Sequence, residues 1–299
     1  MMIRAVLGNP NHPEYGVATI PFPIPHDQYT YCMDLLEALE IGDAVKADCK
    51  VEKIDSFYTV LKRAEMLTVN VEELNYLAKR LESFDTGEAA QFQAMAHKLE
   101  LFELKDFINL TFCCQQATVI TDFSDLAAVG RDHYMNLHGG SASVDELNAL
   151  DGEELAQRLI ESGSGTITPY GVVYDNGMKL DQVYDGRFFP CYYYEPNVIT
   201  VAVTSKAEPE DTEHITWLFL PMVQEEIDRA LLRGGITYPA DVRLRLEDSQ
   251  LPNEVDVLLD MEYETLSDLN ELAAATDGLS KADMEKLGAV VMLAEPKSA

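Results

Sequence analysis

A chain of 299 residues with 47% hydrophobic residues is long enough for two or more packed domains and too apolar for a disordered acidic tail. Its 52 acidic and 22 basic residues leave a net charge of −30, far beyond the roughly 2 to 8 charges that keep a small domain soluble. That balance excludes a phosphate-neutralising grip on DNA or on an anionic membrane, and it favours a basic partner.

Residues 15–24, YGVATIPFPI, read as a strand closed by its prolines. HDQYTYCMDLLEALEI repeats apolar residues at helical spacing through Tyr29, Met33, Leu36 and Leu39. In VKADCKVEKI, Val45, Ala47, Cys49 and Val51 alternate with polar residues, the period of a half-buried strand. From Ser56 to Leu99 the period is helical almost throughout. Leu74, Leu77, Ala78 and Leu81 form a stripe, and Asp85 with Glu88 has the spacing of a helix cap. LFELKDFINLTF and DFSDLAAVGRDHYMNL continue the helical character, joined by CCQQATVI as a short extended link that places Cys113–Cys114 in an apolar strand. After Gly139–Gly140, SVDELNALDGEELAQRLIESGSG holds two short helices with acidic starts, ended by glycine. The stretch TITPYGVVYDNGMKLDQVYDGRFFPCYYYEPNVITVAV reads as β-hairpins turning at Asp175–Asn176–Gly177 and Asp185–Gly186. Within it, YDGRFFPCYYYEPN reads as a sheet edge or a contact between copies, and KAEPEDTEH follows as a polar linker.

A repeat organises these elements. VEELNYLAKRLESFDTGEAAQFQAM (71–95) aligns without gaps on LSDLNELAAATDGLSKADMEKLGAV (266–290), which sets Phe84, Phe92 and Met95 on Leu279, Leu287 and Val290. Upstream, Phe22–Pro23–Ile24 falls on Leu220–Pro221–Met222, and VKADCKVE on DVRLRLE. The order strand, proline, acidic helix, strand, LN-type helix therefore occurs twice. The expected architecture is α+β: an elongated chain of small domains, with short antiparallel sheets, packed helices and a partial internal duplication. The domains expected are a small α+β domain at 1–60, a helical domain at 61–138, acidic helices plus β-hairpins at 139–205, and the second copy at 206–299.

The chemical constellations are sparse. Five cysteines, none in a CxxC pair, match no zinc spacing, and no cofactor or metal is expected. No secretory signal or membrane-spanning run is read in the sequence, so a cytoplasmic setting is expected. GRDHYMNLHGG (130–140) gathers Asp132, His133, Tyr134 and His138, an invitation to read an active site. Its histidines are five apart, whereas residues facing one another on a helix are three or four apart, and no metalloprotease or nucleophile motif accompanies them. The reading adopted is a polar helix end with Gly139 as its left-handed cap. GSGTITPYG lacks the strand, loop and helix order of a phosphate cradle. The acids are different in kind, because they recur on nearly every helix and loop. Residues 247–271 hold nine acids and no base, without the pattern of a calcium loop. A charge of −30 is that of roughly 15 base pairs of duplex DNA.

With TIPFPI ahead of an acidic helix, FYTVLKRAEMLTVNVEELNYLAKRL, the GRDHY helix end, and VDELNALDGEELAQRL running into SGTITPYGVVY, residues 15–175 resemble the ArdA-type antirestriction proteins of conjugative plasmids and transposons. The resemblance implies a DNA mimic. Such proteins are elongated, acidic and usually dimeric. They occupy the DNA-binding groove of Type I restriction-modification enzymes, on the methyltransferase core, and they need no catalytic residue. It carries over Glu72, Glu73, Asp145, Glu146, Asp151, Glu153 and Glu154 as phosphate mimics, and Glu82 with Asp85 and Glu88 at the start of the next helix join the candidate set. The implied protein is not an enzyme, touches neither nucleic acid nor membrane directly, and has a homodimer among its implied assemblies. The alternative is an acidic interaction module of a mobile element that binds another basic DNA-processing protein. After residue 175 the sequence departs from the family pattern.

Overall fold

The structure is a computed structural model and describes residues 2–207 and 213–294. Of the expected linker at 206–214, residues 208–212 lie outside the described residues.

The chain begins with β1 (Ile3–Gly8) and β2 (Val17–Phe22), which pair antiparallel with Ile3 opposite Phe22. The turn between them closes on Asn9, whose Oδ1 accepts the Asn11 and His12 amides at 2.8 and 3.1 Å. Helix α1 (Tyr29–Glu37) buries Tyr29, Cys32, Met33 and Leu36, the stripe that its helical spacing dictates. Strand β3 (Cys49–Asp55) pairs with β1, and the two-residue β4 (Thr68–Val69) closes the sheet in the order β2-β1-β3-β4. Asn70 caps α2 (Val71–Glu82) by accepting the amides of Glu72 and Glu73. Asp85 and Glu88 form the capping box of α3 (Thr86–Lys98). There follow α4 (Leu104–Leu110), β5 (Thr118–Ile120), α5 (Leu126–Leu137), α6 (Val144–Ala149) and α7 (Gly152–Glu161). A tight hairpin of β6 (Thr166–Thr168) and β7 (Gly171–Tyr174) returns to β5, giving a second sheet ordered β5-β7-β6. Strands β8 (Ile199–Ser205) and β9 (Thr216–Leu220), helix α8 (Gln224–Arg233) and strand β10 (Val242–Ser249) build a third sheet, β10-β8-β9. Helices α9 (Asn253–Asp256), α10 (Leu266–Thr276) and α11 (Lys281–Ala294) complete the described chain. The fold is α+β, with short antiparallel sheets.

These elements make two compact units that are interleaved in sequence. The first comprises the chain up to Pro23, Ala38–Gly42 and Ala47–Tyr184. The second comprises Ile24–Glu37, Asp43–Lys46 and the chain from Asp185 on, so α1 belongs with the C-terminal elements. In the first unit Phe92 of α3 is fully buried and meets the rings of Tyr58, Phe84 and Phe107 at 5.9, 6.2 and 6.0 Å. Tyr58 turns its hydroxyl to the Leu81 carbonyl at 2.6 Å, so the one polar atom of that ring is satisfied. In the second unit Val201, Val203, Leu218, Leu220, Ile227 and Leu269 form the core between the third sheet and its helices.

Gln93 breaks the pattern of the first core. It is 5% exposed on α3, and its Oε1 has no hydrogen-bond donor. A buried unmet acceptor costs about 1–3 kcal/mol. Gln93→Met keeps the length of the side chain and removes the polar atoms, so a gain of about 1 kcal/mol is expected. The check is a higher urea midpoint at unchanged slope; a lower midpoint would mean that the amide is needed.

The two copies of the repeated sequence share a topology. In each, a central strand (β1 or β8) pairs on one side with the strand before the proline and on the other with the strand after the acidic helix. Ile3 stands opposite Phe22 as Ile199 stands opposite Leu220. The bonds that follow, Phe22–Pro23 and Leu220–Pro221, are both cis. Asn75 is buried on α2. On α10 its counterpart Asn270 accepts the Met222 amide at 2.8 Å and donates to the Met222 carbonyl at 3.0 Å, which fastens that helix beside the proline.

Four expectations need correction. Val45 and Ala47 are not in a strand, because Asp43 Oδ1 accepts the Val45 and Lys46 amides, both at 2.8 Å, and bends the chain there. Cys113–Cys114 is not strand either. The Cys113 amide still donates to the Leu110 carbonyl, Cys114 opens a single helical turn, and extension starts only at Thr118. The aromatic stretch after residue 178 forms no hairpin. Its backbone is met by side chains instead: Asn109 takes both backbone groups of Tyr184 at 2.7 and 3.0 Å, and Arg233 donates to the carbonyls of Gly186 and Arg187 at 3.2 and 2.7 Å. Finally, the alignment of Phe84, Phe92 and Met95 with Leu279, Leu287 and Val290 does not transfer burial. Elements α4, β5 and β7 pack over α3, whereas α11 packs on α9 and leaves Val290 58% exposed.

Candidate acidic interaction surface

All ten candidate acids lie in the first unit, and nine of them occupy a helix cap or a first helical turn. Local physics accounts for that placement. The exposed amides of a helix start carry partial positive charge and attract carboxylates. Glu72 and Glu73 are half-buried in the first turn of α2, and Glu73 Oε1 accepts the Tyr184 hydroxyl at 2.8 Å. Glu82 is exposed at the far end of the same helix. Asp85 accepts the amides of Gly87 and Glu88 at 2.7 and 2.9 Å, and Glu88 returns a carboxylate oxygen to the Asp85 amide at 3.1 Å. Glu88 also receives Gln115 Nε2 at 3.3 Å and is half-buried. These acids are engaged in holding α2 and α3.

The five candidate acids of α6 and α7 are all exposed, as is Glu161 at the end of α7. The two helices follow one another across Leu150–Asp151. Ser143 and Glu146 form the capping box of α6, and their mutual hydrogen bonds hold the Glu146 carboxyl below its ordinary proton affinity. Asp151 caps α7 by accepting the Glu154 amide at 3.0 Å. Glu154 pairs with Arg158, the one base between Gly139 and Gly165. Asp145 and Glu153 serve in neither cap. Val144, 72% exposed, and Ile167, 85% exposed, add apolar area in the same unit.

Helix α7 is seated on α5 by backbone contact. A methyl group on Gly130 of α5 would stand 1.8 Å from the Gly152 carbonyl oxygen, and one on Gly152 would stand 2.4 Å from the Ala127 carbonyl oxygen. The acids of α7 therefore project from a helix whose backbone sits directly on α5. No pattern of apolar residues signalled this seat; the signal was a glycine inside each helix.

The residues of GRDHYMNLHGG take separate positions. His138 is the C-cap residue of α5, its Nδ1 donates to the Tyr134 carbonyl at 2.7 Å, and its ring stacks on Tyr134 at 4.1 Å. Gly139 and Gly140 follow with φ of 67° and 78°, the left-handed conformation that ends the helix. His133 is buried against Thr118, and burial raises the proton affinity of Asp132 next to it. The two histidines thus engage different partners. Among the described residues no group of three His, Cys, Asp or Glu is placed to hold a metal ion.

The second unit carries an acidic run that the candidate set omits. From Leu246 to Ser280 the sequence has no base, and Glu247, Asp248, Glu254, Asp260, Glu262, Asp268, Glu271 and Asp277 are exposed. Acids outnumber bases by more than two to one in both units. Among the described residues no helix is long and apolar enough to cross a membrane. Comparisons with family models, with curated proteins and with solved structures gave no match.

Proposed function

We propose that the protein is a cytoplasmic DNA mimic that occupies the DNA-binding groove of Type I restriction-modification enzymes and blocks restriction and modification. The observation that carries this reading is the exposed acidic surface of α6 and α7, six carboxylates with a single base already paired to one of them. The likeness of residues 15–175 to the ArdA-type proteins supports the same conclusion. In this reading the carboxylates stand where DNA phosphates would lie. Long-range attraction steers the acidic face into a basic groove, and binding competes with DNA. No bond is made or broken by the protein. Exposed charges are screened by salt, so affinity falls steeply as ionic strength rises.

The test is cleavage and methylation of DNA by several Type I enzymes with the full chain added. Dose-dependent inhibition that excess substrate DNA relieves is the expected result. Absence of inhibition at micromolar protein across those enzymes overturns the reading. Capture of a different basic DNA-processing protein on the immobilised chain, without restriction subunits, would assign the acidic face to that partner instead.

A further inference from the structure

His133 lies in a buried polar cluster that the acidic surface does not use. Thr118 on β5, His133 and Asn136 on α5, and Asn176 in the turn after β7 meet at one hydroxyl oxygen. Thr118 is 2% exposed and His133 8%. Asn136 Nδ2 donates to the Ala117 carbonyl at 3.1 Å and to Thr118 Oγ1 at 3.2 Å. Asn176 Nδ2 donates to the Gln116 carbonyl at 2.8 Å and to Thr118 Oγ1 at 2.9 Å. A carbonyl can only accept, so these carbonyls determine which end of each amide is the nitrogen. The two amides fill both lone pairs of Thr118 Oγ1. Its own hydrogen then has one destination, His133 Nδ1 at 2.9 Å. This arrangement requires a neutral His133 with its proton on Nε2.

A proton arriving at His133 Nδ1 would meet an oxygen with no lone pair left. Thr118 would have to release an asparagine, or the imidazole would have to leave. We propose that this cluster is a proton-operated latch that holds α5 to the β5-β7-β6 sheet at neutral pH and lets go in acid. The ionisable neighbours of His133 on α5 are Arg131, Asp132 and Tyr134. The packed helix α7 brings Asp151, Glu153, Glu154, Arg158 and Glu161; β5 brings none. The turn before β5 brings Cys114, whose burial keeps it a thiol, and the end of β7 brings Tyr174 and Asp175, the latter paired with Lys98 at 2.6 Å. None of them offsets the effect of burial, which lowers the proton affinity of His133. The unfolded chain therefore binds this proton more readily than the folded one. The latch contributes its full stabilisation above the ordinary histidine value of 6.5 and loses it as pH falls below that value. Because α7 is seated on α5, release would also loosen the acidic helices. The latch rests on the geometry of the first unit alone and stands whether or not the acidic face is a DNA mimic.

Two measurements on the full chain test it. Long-range proton–nitrogen correlation at pH 7.5 reads the tautomer directly, and Nε2–H is expected; Nδ1–H overturns the latch. Amide hydrogen exchange at pH 7.5 and 5.0, corrected for intrinsic rates, is expected to show at least a tenfold loss of protection in α5 at the lower pH, with β1 to β3 unaffected. His133→Gln supplies an acceptor that does not titrate, and it should abolish that loss. Protection of α5 that is unchanged at pH 5.0, or that falls equally in His133→Gln, overturns the proposal. The tautomer and the exchange of the parent chain at the two pH values need no variant, so either can overturn the latch even if His133→Gln fails to fold.

Discussion

Gly130→Ala is expected to cost about 3 kcal/mol or more and to detach α7 from α5, the largest effect of any single methyl group in the first unit. The reason is space rather than backbone conformation. The added carbon would stand 1.8 Å from the Gly152 carbonyl oxygen, 2.6 Å from its carbon and 2.8 Å from its Cα. All three atoms are backbone, so no rotamer change relieves the clash and the helices must separate. Separation exposes Ala156, now fully buried on α7, and opens the seat of Gly152. Hydrogen exchange is the appropriate measurement, because the damage is local: amides of α5 and α7 should lose protection while those of β1 to β3 keep it. Under the proposed mimicry, inhibition of a restriction enzyme should fall in parallel, since Glu153 and Glu154 would lose their support. Unchanged protection in Gly130→Ala would mean that the two helices do not meet at these glycines.

The second large effect concerns binding alone. Asp145→Lys combined with Glu153→Lys changes the charge of the acidic face by four while sparing both caps, which depend on Ser143, Glu146 and Asp151. Stability should move by about 1 kcal/mol or less per site, the worth of a carboxylate at a helix start. Under the proposed mimicry, affinity for the methyltransferase core should drop by roughly a hundredfold or more at low salt, chiefly through slower association, and by much less at high salt. Stopped-flow association at several salt concentrations separates these contributions. Equal affinity of the double variant and the parent would remove α6 and α7 from the interface.

Much of this was legible in the sequence because it rests on local rules. Prolines at 23 and 221 mark the ends of β2 and β9, and the stripe of Leu74, Leu77, Ala78 and Leu81 is the buried side of α2. Asp85 with Glu88 and Ser143 with Glu146 stand at the spacing their capping boxes require. The acids were equally visible, as were the acidic starts of α6 and α7. What stayed hidden depends on side chains reaching across the sequence. The run from Met178 to Asn197 has the composition of strands, yet Asn109 and Arg233 satisfy backbone groups that a ladder would otherwise pair. Asp43 bends a segment whose alternation reads as strand. Thr118, His133, Asn136 and Asn176 converge from three separate elements, and periodicity says nothing about such convergence.

The interleaving of the two units has a consequence for synthesis. Helix α1 belongs to the second unit, but it leaves the ribosome long before Asp185, where the rest of that unit begins. At about 5–20 residues per second, synthesis from Glu37 to Asp185 takes roughly 7 to 30 s. Through that interval α1 is separated in the chain from the rest of the unit to which it belongs. Efficient production should therefore depend on translation rate, and cutting the gene after Tyr184 would divide the second unit, leaving α1 without the rest of it.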